Sequence, residues 1–392
     1  MAKKWKIPPC VEQILAQLEQ AGFEGYLVGG CVRDHLMGRQ PHDYDITTNA
    51  LPQQSIALFG EEKVIQTGLQ HGTVTVRTPQ GGVEVTTYRQ DGIYTDHRRP
   101  DRVSFTRSLP QDLARRDFTV NAMAMDRRGN LVDPFGGRAD LQEGLLRCVG
   151  EPGQRFEEDA LRILRGLRFA ARFGFAIEPQ TAKAMNEKKP LLAYVAAERI
   201  YTELCGLLTG PYWTAVLDRH LPVLRAVLPE LSSVSHLCRW GALPQQLSLR
   251  FAALLAEGTK EEAEGVLSRL KAPKSLQKEV LLLVESFSVP CPADRGAVHR
   301  QMARLGAQGF SNLLALWKAA GHPVDPLYEL QQQLLGEGAC LSLKELAVTG
   351  ADLMAPGYRG AEVGQLLNHL FEQVVGEQLP NNKEILLKSI KP

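Results

Sequence analysis

The chain has 392 residues, 44% of them hydrophobic and 23% charged, a globular composition long enough for two to four compact units. No apolar run approaches the roughly 18 residues of a membrane span, so no membrane association is expected. Formal net charge is only +1, so any nucleic-acid binding must come from local basic patches rather than from the field of the whole molecule.

In chain order, Val11, Ile14, Leu15 and Leu18 recur at helical spacing and predict a helix over 11–22. Tyr26-Leu27-Val28 reads as a short buried strand running into Gly29-Gly30, with a helix starting over Val32 to Leu36. Tyr44-Asp45-Ile46 is a second strand. Thr73 to Val76 and Val83 to Thr86 alternate at period two, and Gly81-Gly82 between them signals a hairpin. Ala122 to Asp126 and Asn130 to Val132 suggest another, turning at Arg127-Arg128-Gly129. From Glu157 onward the periodicity is helical almost throughout, broken by Pro and Gly. Helices are expected over Asp159–Phe173, Ala197–Leu208, Leu247–Glu257, Glu261–Leu270, Leu276–Val284 and Ala361–Val375, with no strand pattern among them. The fold class is therefore α+β: an N-terminal mixed α/β head with a small sheet, followed by an all-helical remainder. The seven cysteines are scattered, odd in number and without a CxxC pair, against a disulfide framework or a zinc site. The opening stretch carries charge with no apolar run behind it, so a cytoplasmic protein is expected.

Five short motifs carry chemistry. Gly29-Gly30-Cys31-Val32-Arg33 lies at a strand-to-helix turn, where amide N–H groups and the helix end favour a phosphate and Arg33 can add a charged contact. Asp43 and Asp45 share one face of a strand, and two adjacent carboxylates repel unless a cation lies between them; Mg2+ takes one or two carboxylates plus substrate phosphates. Glu84, flanked by Val83 and Val85, would join them if its strand is a neighbour. Arg115-Arg116-Asp117 offers phosphate donors and an acceptor for a ribose hydroxyl. Asp159, Arg162 and Arg165, at i, i+3 and i+6, would share one helix face, and an Asp–Arg pair can read the Watson–Crick edges of both cytosine and adenine. Each motif alone also fits a structural role: a glycine turn, a solvated acidic pair, an edge-strand glutamate, a surface ion pair, an intrahelical salt bridge.

Their order is more specific. Tyr26 to Asp34, His42-Asp43-Tyr44-Asp45 to Ala50, Thr67 to Val74, Arg115 to Thr119 with Asn121-Ala122, Asp133-Pro134-Phe135-Gly136-Gly137, Glu158-Asp159-Ala160-Leu161-Arg162, and Glu198-Arg199-Ile200 with Glu203 together resemble the class II tRNA nucleotidyltransferases of the DNA polymerase β-like superfamily. The likeness is strong over 23–205 and weaker beyond, where Gly350 to Gly364 is similar to the family's tail. The resemblance implies a catalytic head (1–140), a neck that recognises the base (141–208), a body (209–340) and a tRNA-binding tail (341–392). It implies template-independent addition of CMP, CMP and AMP to the 3′ end of tRNA from CTP and ATP, with pyrophosphate released. Asp43 and Asp45 would hold Mg2+, with Glu84 as the third head carboxylate. Gly29, Gly30 and Arg33 would hold the triphosphate, and Arg116 and Asp117 phosphate and ribose. Asp159 and Arg162 would form the amino-acid template, assisted by Arg165. Poly(A) polymerases share the head motifs but carry an arginine-rich stretch where this chain reads Gln66 to Thr73, and a long basic C-terminal extension. The loop Tyr88 to Pro100 looks complete, unlike that of CC-adding enzymes, which leaves full CCA addition or addition of A alone.

Overall fold

The computed structural model describes residues 5, 7–92, 103–233, 237–355 and 357–390. Most of the opening stretch, and the loop expected over Tyr88 to Pro100 from residue 93 onward, lie outside the described residues. Two compact units divide the chain, Met1–Pro229 and Glu230–Pro392. Among the described residues no helix is long and apolar enough to cross a membrane.

The first unit is built on a seven-stranded mixed sheet. Its strands are β1 (Gly25–Val28), β2 (Asp45–Thr48), β3 (Val64–Ile65), β4 (Thr73–Thr78) and β5 (Gly81–Thr87). After the small ribbon of β6 (Arg89–Asp91) and β7 (Val103–Phe105) come β8 (Ala124–Met125) and β9 (Leu131–Val132). The order in the sheet is β3-β4-β5-β2-β1-β8-β9, with β2 and β5 parallel and the other pairs antiparallel. Helix α1 (Pro9–Gln20) starts with proline at its first position, where the missing N–H costs nothing, and buries Val11, Ile14, Leu15 and Leu18. That stripe joins Leu27, Ile46, Val74, Val76, Val83 and Val85 in one core with Phe59 of α3 (Pro52–Phe59). The alternation of the strands therefore leaves Asp45, Glu84 and Thr86 off the apolar side.

The hairpin of β4 and β5 forms one step earlier than expected. Thr78 pairs with Gly81 and Arg77 with Gly82, so Pro79-Gln80 make the turn and both glycines sit in the strand. A Cβ on Gly82 would lie 2.6 Å from the Thr75 methyl, which is what the glycine answers there. The second hairpin turns as expected, with the Asp126 carboxylate accepting from the amides of Arg128 (2.9 Å) and Asn130 (2.8 Å).

The remaining helices of this unit are α2 (Gly30–Leu36), α4 (Leu109–Ala114), α5 (Gly137–Glu143), α6 (Pro152–Glu158), α7 (Leu161–Phe173), α8 (Pro179–Lys188), α9 (Ala197–Leu208) and α10 (Trp213–Val227). Helix α7 packs on α9 and α10, and α6 on α8. Pro222 inside α10 accompanies a non-helical His220 (φ −120°), as a missing amide and a crowded ring dictate. Two expectations change. The helix over Asp159–Phe173 begins only at Leu161, because Asp159 is extended (φ −142°, ψ 101°). The helical part also holds a small strand pair, β10 (Leu145–Leu146) with β11 (Ala176–Ile177), too short to show a period.

The second unit is helical among its described residues: α11 (Leu247–Leu255), α12 (Lys260–Arg269), α13 (Lys274–Phe287), α14 (Arg295–Ala319), α15 (Asp325–Gly336), α16 (Gly350–Met354), α17 (Ala361–Val375) and α18 (Lys383–Ser389). Helix α13 packs on α11, α12 and α14, and α14 on α15 and α17. Thr259 and Glu262 close a capping box on α12, worth about 1 kcal/mol.

Candidate active site

Three chain segments meet at one end of the central strands. Val28, the last residue of β1, is the register partner of Asp45, and Asp45 is the partner of Glu84 on β5. Strand β1 then turns into α2 through Gly29 (φ 71°, ψ −129°), a conformation that L side chains rarely adopt. A Cβ there would also stand 3.1 Å from a terminal nitrogen of Arg116. Asp45 is solvent-accessible at its edge. Its carboxyl is nevertheless pushed above the ordinary range by the protein around it, by Glu84 and by Asp43, with Arg116 pulling the other way. Three carboxylates thus repel one another at this edge, as a cation site would require. They are not a ready-made chelate: among the described residues no three His, Cys, Asp or Glu side chains are grouped to hold a metal. Asp45 and Glu84 are strand partners, and Asp43 precedes the strand. This arrangement suits an ion completed by substrate phosphates, as Mg2+ commonly is.

The floor of the site is fastened by a fully buried carboxylate. Asp112 on α4 accepts from Thr47 Oγ1 (3.1 Å), Arg115 Nε (2.9 Å) and the Arg89 amide (3.3 Å), and lies 3.6 Å from Arg116. Burial pushes its pKa up, but Arg115 and Arg116 bring it below the usual value. One turn on, Asp117 accepts from the Phe118 amide, from Asn121 (3.1 Å) and twice from Arg165 (2.9 and 2.7 Å). Against the burial that raises it, Arg165 and these donors hold its carboxyl down at about 2. Asn121 in turn accepts from Arg33, which is buried and also bonded to Asp34. The Arg33 guanidinium lies 4.7 Å from the centre of the Phe173 ring and 5.4 Å from that of Phe169.

The opposite wall comes from the break between α6 and α7. Asp159 lies between α6 and α7, its Oδ1 accepting from the Leu161 amide (3.1 Å) and its Oδ2 from Arg199 (2.8 Å) on α9. Arg162 does not pair with Asp159. It donates to Glu158 (2.7 Å), to the Arg155 carbonyl (3.2 Å) and to the Arg115 carbonyl (2.9 Å). Asp159 therefore stands outside the helix that carries Arg162 and Arg165, although all three line the same space. Arg168, one turn beyond Arg165, is fixed by Glu203 at 2.5 Å.

These walls enclose a cleft of about 470 Å³, the size of a small-molecule site. Gly29, Gly30, Arg33, Asp45, Arg116, Asp117, Asp159, Arg162 and Arg165 line it, while Asp43 and Glu84 do not. Eight arginines face only three aspartates, a strongly cationic lining suited to a polyphosphate. Sequence reasoning assigned no role to Arg168 and Arg172, which the spacing from Arg165 could have found. Nor did it assign Arg199 and Asn121, which lay inside quoted motifs, or Asp112, whose role no local pattern signals.

Comparison with known proteins bears on the family and the fold. Residues 25–147 match the Poly A polymerase head domain, 174–234 a probable RNA and SrmB-binding site of polymerase A, and 246–390 a putative tRNA nucleotidyltransferase domain 2. The chain is 38% identical to a CCA-adding enzyme of Geobacillus kaustophilus, covering 95% of this chain and 93% of that one. It is 36% identical to one of Streptococcus agalactiae, covering 96% and 95%. Its fold superposes with a TM-score of 0.78 on the crystal structure of the Bacillus stearothermophilus CCA-adding enzyme in complex with CTP, at 31% identity over 98% of both chains. The chain belongs to the family of CCA-adding enzymes, and its arginine-lined cleft lies within the part that matches the head domain and the helices that follow it.

Proposed function

We propose that this protein adds CMP, CMP and AMP to the 3′ end of tRNA, taking CTP and ATP in the cleft between the β1–α2 turn and the α6–α7 break. The observation that carries this is the meeting, in one space, of an acidic strand end, eight arginines and the Asp159–Arg162 wall. In the reaction the primer 3′-oxygen attacks the α-phosphorus. A phosphodiester bond forms, the bond to the bridging oxygen breaks, and pyrophosphate leaves.

The amides of the Gly29-Gly30 turn and Arg33 hold the triphosphate, with Arg116 beside them. Asp117 orients Arg165 and can accept from a ribose hydroxyl. Asp43 and Asp45 would hold Mg2+, supported by Glu84; their mutual repulsion is what a cation relieves. When bound, the ion supplies activation of the attacking hydroxyl and charge neutralisation at the leaving pyrophosphate. Asp159 accepts from the exocyclic amine of cytosine or adenine, and Arg162 donates to the ring acceptor beside it. Arg199, Glu158 and the Arg115 carbonyl fix these two side chains, so a base presenting O4 or O6 to Asp159 leaves buried polar groups unpaired. The division into head (1–140), neck (141–208), body (209–340) and tail (341–392) goes with this reading, body and tail gripping tRNA by shape and phosphate contacts. The unpaired cysteines are in keeping with a reducing, cytosolic site of action.

The test is incorporation by the purified protein of each NTP into tRNA lacking all of CCA and into tRNA lacking only the final A. Both should be completed. Completion of the second alone would make it an A-adding enzyme. Asp43→Ala with Asp45→Ala should abolish incorporation and spare tRNA binding; full residual activity would remove the metal assignment. Asp159→Ala or Arg162→Ala should relax the choice of CTP over UTP.

A further inference from the structure

The cleft arginines are not electrically equivalent. Seven of the eight have a carboxylate within 3.6 Å, from Arg33 with Asp34 to Arg199 with Asp159. Arg172 has none among the described residues. It is exposed at the C-terminal end of α7, its guanidinium 5.4 Å from the centre of the Phe173 ring. A second exposed guanidinium without a carboxylate among the described residues, Arg39, stands 5.3 Å from the same ring. It is brought there by the turn that ends α2, where the Arg39 amide bonds the Asp34 carbonyl and Gly38 takes a left-handed φ of 71°. Phe173 is itself buried and stacks on Phe169 at 6.1 Å. The Phe173 ring therefore gathers three guanidiniums, of which only Arg33 has a carboxylate partner among the described residues.

We propose that Arg39 and Arg172 form an outer anion subsite that receives the β- and γ-phosphates of the incoming nucleotide and the pyrophosphate released from it. This rests on the reading of Gly29, Gly30 and Arg33 as the triphosphate cradle. Arg33, which lines the cleft, shares the Phe173 ring with Arg172, also in the lining, and with Arg39, outside it, so a polyphosphate reaching past the cradle toward that ring is offered both outer cations. Two like charges beside one ring, with no carboxylate partner among the described residues, repel each other, and a polyanion relieves that repulsion. Guanidiniums seated on a ring are already ordered, so little side-chain entropy is lost when a phosphate binds.

The experiment uses the full-length protein and truncated tRNA, with Arg39→Ala/Arg172→Ala, its Lys/Lys counterpart and Arg33→Ala. The readouts are KM for CTP, Ki for added inorganic pyrophosphate, and KM for tRNA. Exposed charge contacts are each worth about three- to fivefold, so the double alanine variant should raise KM for CTP and Ki for pyrophosphate by roughly tenfold, with KM for tRNA held. The Lys/Lys variant should recover most of both. An unchanged Ki for pyrophosphate overturns the subsite, and a rise confined to KM for tRNA overturns it in favour of RNA phosphates. If Arg33→Ala raises KM for CTP while the double variant does not, only the subsite falls. If Arg33→Ala also leaves it unchanged, the cradle itself falls.

Discussion

Replacing Asp117 with Asn tests the buried centre of the site, because it removes one charge and almost no volume. The native carboxyl is buried, which pushes it up, yet Arg165, Asn121 and the Phe118 amide hold it down at about 2 against an ordinary 3.8. A depression of nearly two pKa units is worth about 2 kcal/mol of folding stability. The folded value lies below the unfolded one, so that contribution is fully present above the unfolded pKa and is lost as pH falls through the folded value. At neutral pH the variant should be about 2 kcal/mol less stable than the native protein, and by pH 3 about half of that gap should have closed. Asn at 117 would also turn an amide towards the two Arg165 donors, leaving that guanidinium with Glu203 at 3.9 Å. KM for CTP should rise with it. The two compact units need not unfold together, so unfolding in urea is best followed by hydrogen–deuterium exchange of α7 peptides from pH 7 to pH 3. A gap that does not shrink with falling pH, or no gap at neutral pH, would refute the view that Asp117 is an anion clamped by Arg165.

Two further substitutions separate positioning from bulk stability. Arg199→Ala removes the 2.8 Å partner of Asp159; the pair is partly exposed, so stability should change by no more than about 1 kcal/mol, while discrimination between CTP and UTP should fall roughly tenfold in kcat/KM. An unchanged ratio would show that Asp159 needs no such anchor. Gly29→Ala combines an unfavourable left-handed φ, costing about 1–2 kcal/mol, with a Cβ 3.1 Å from Arg116, so KM for CTP should rise more than the melting temperature falls; a wild-type KM would count against the turn as a phosphate cradle.

Much of the frame was legible because local pattern and tertiary burial agree. The stripe of Val11, Ile14, Leu15 and Leu18 faces the core it predicts, and Ala197–Leu208 and Ala361–Val375 form as their periodicity requires. Legibility fails where long-range contacts decide. Nothing between Glu157 and Ala160 breaks a helix by propensity; the chain opens at Asp159, where that side chain is held by Arg199 and Arg162 reaches back to Arg115. The motifs likewise named most of the charged groups but not their counter-ions. Spacing suggests Asp159 with Arg162, whereas the fold gives Arg162 to Glu158 and joins Asp117 to Arg165 across 48 residues. In a cleft with eight arginines, availability to a phosphate depends on which cations a carboxylate already occupies. Asp34 is adjacent to its arginine in sequence, but Glu203 lies 35 residues from Arg168 and Asp159 lies 40 from Arg199. The charge at Arg39 and Arg172, uncompensated among the described residues, is thus a remainder left after distant pairings are made, and no inspection of either residue's neighbours in sequence could have revealed it.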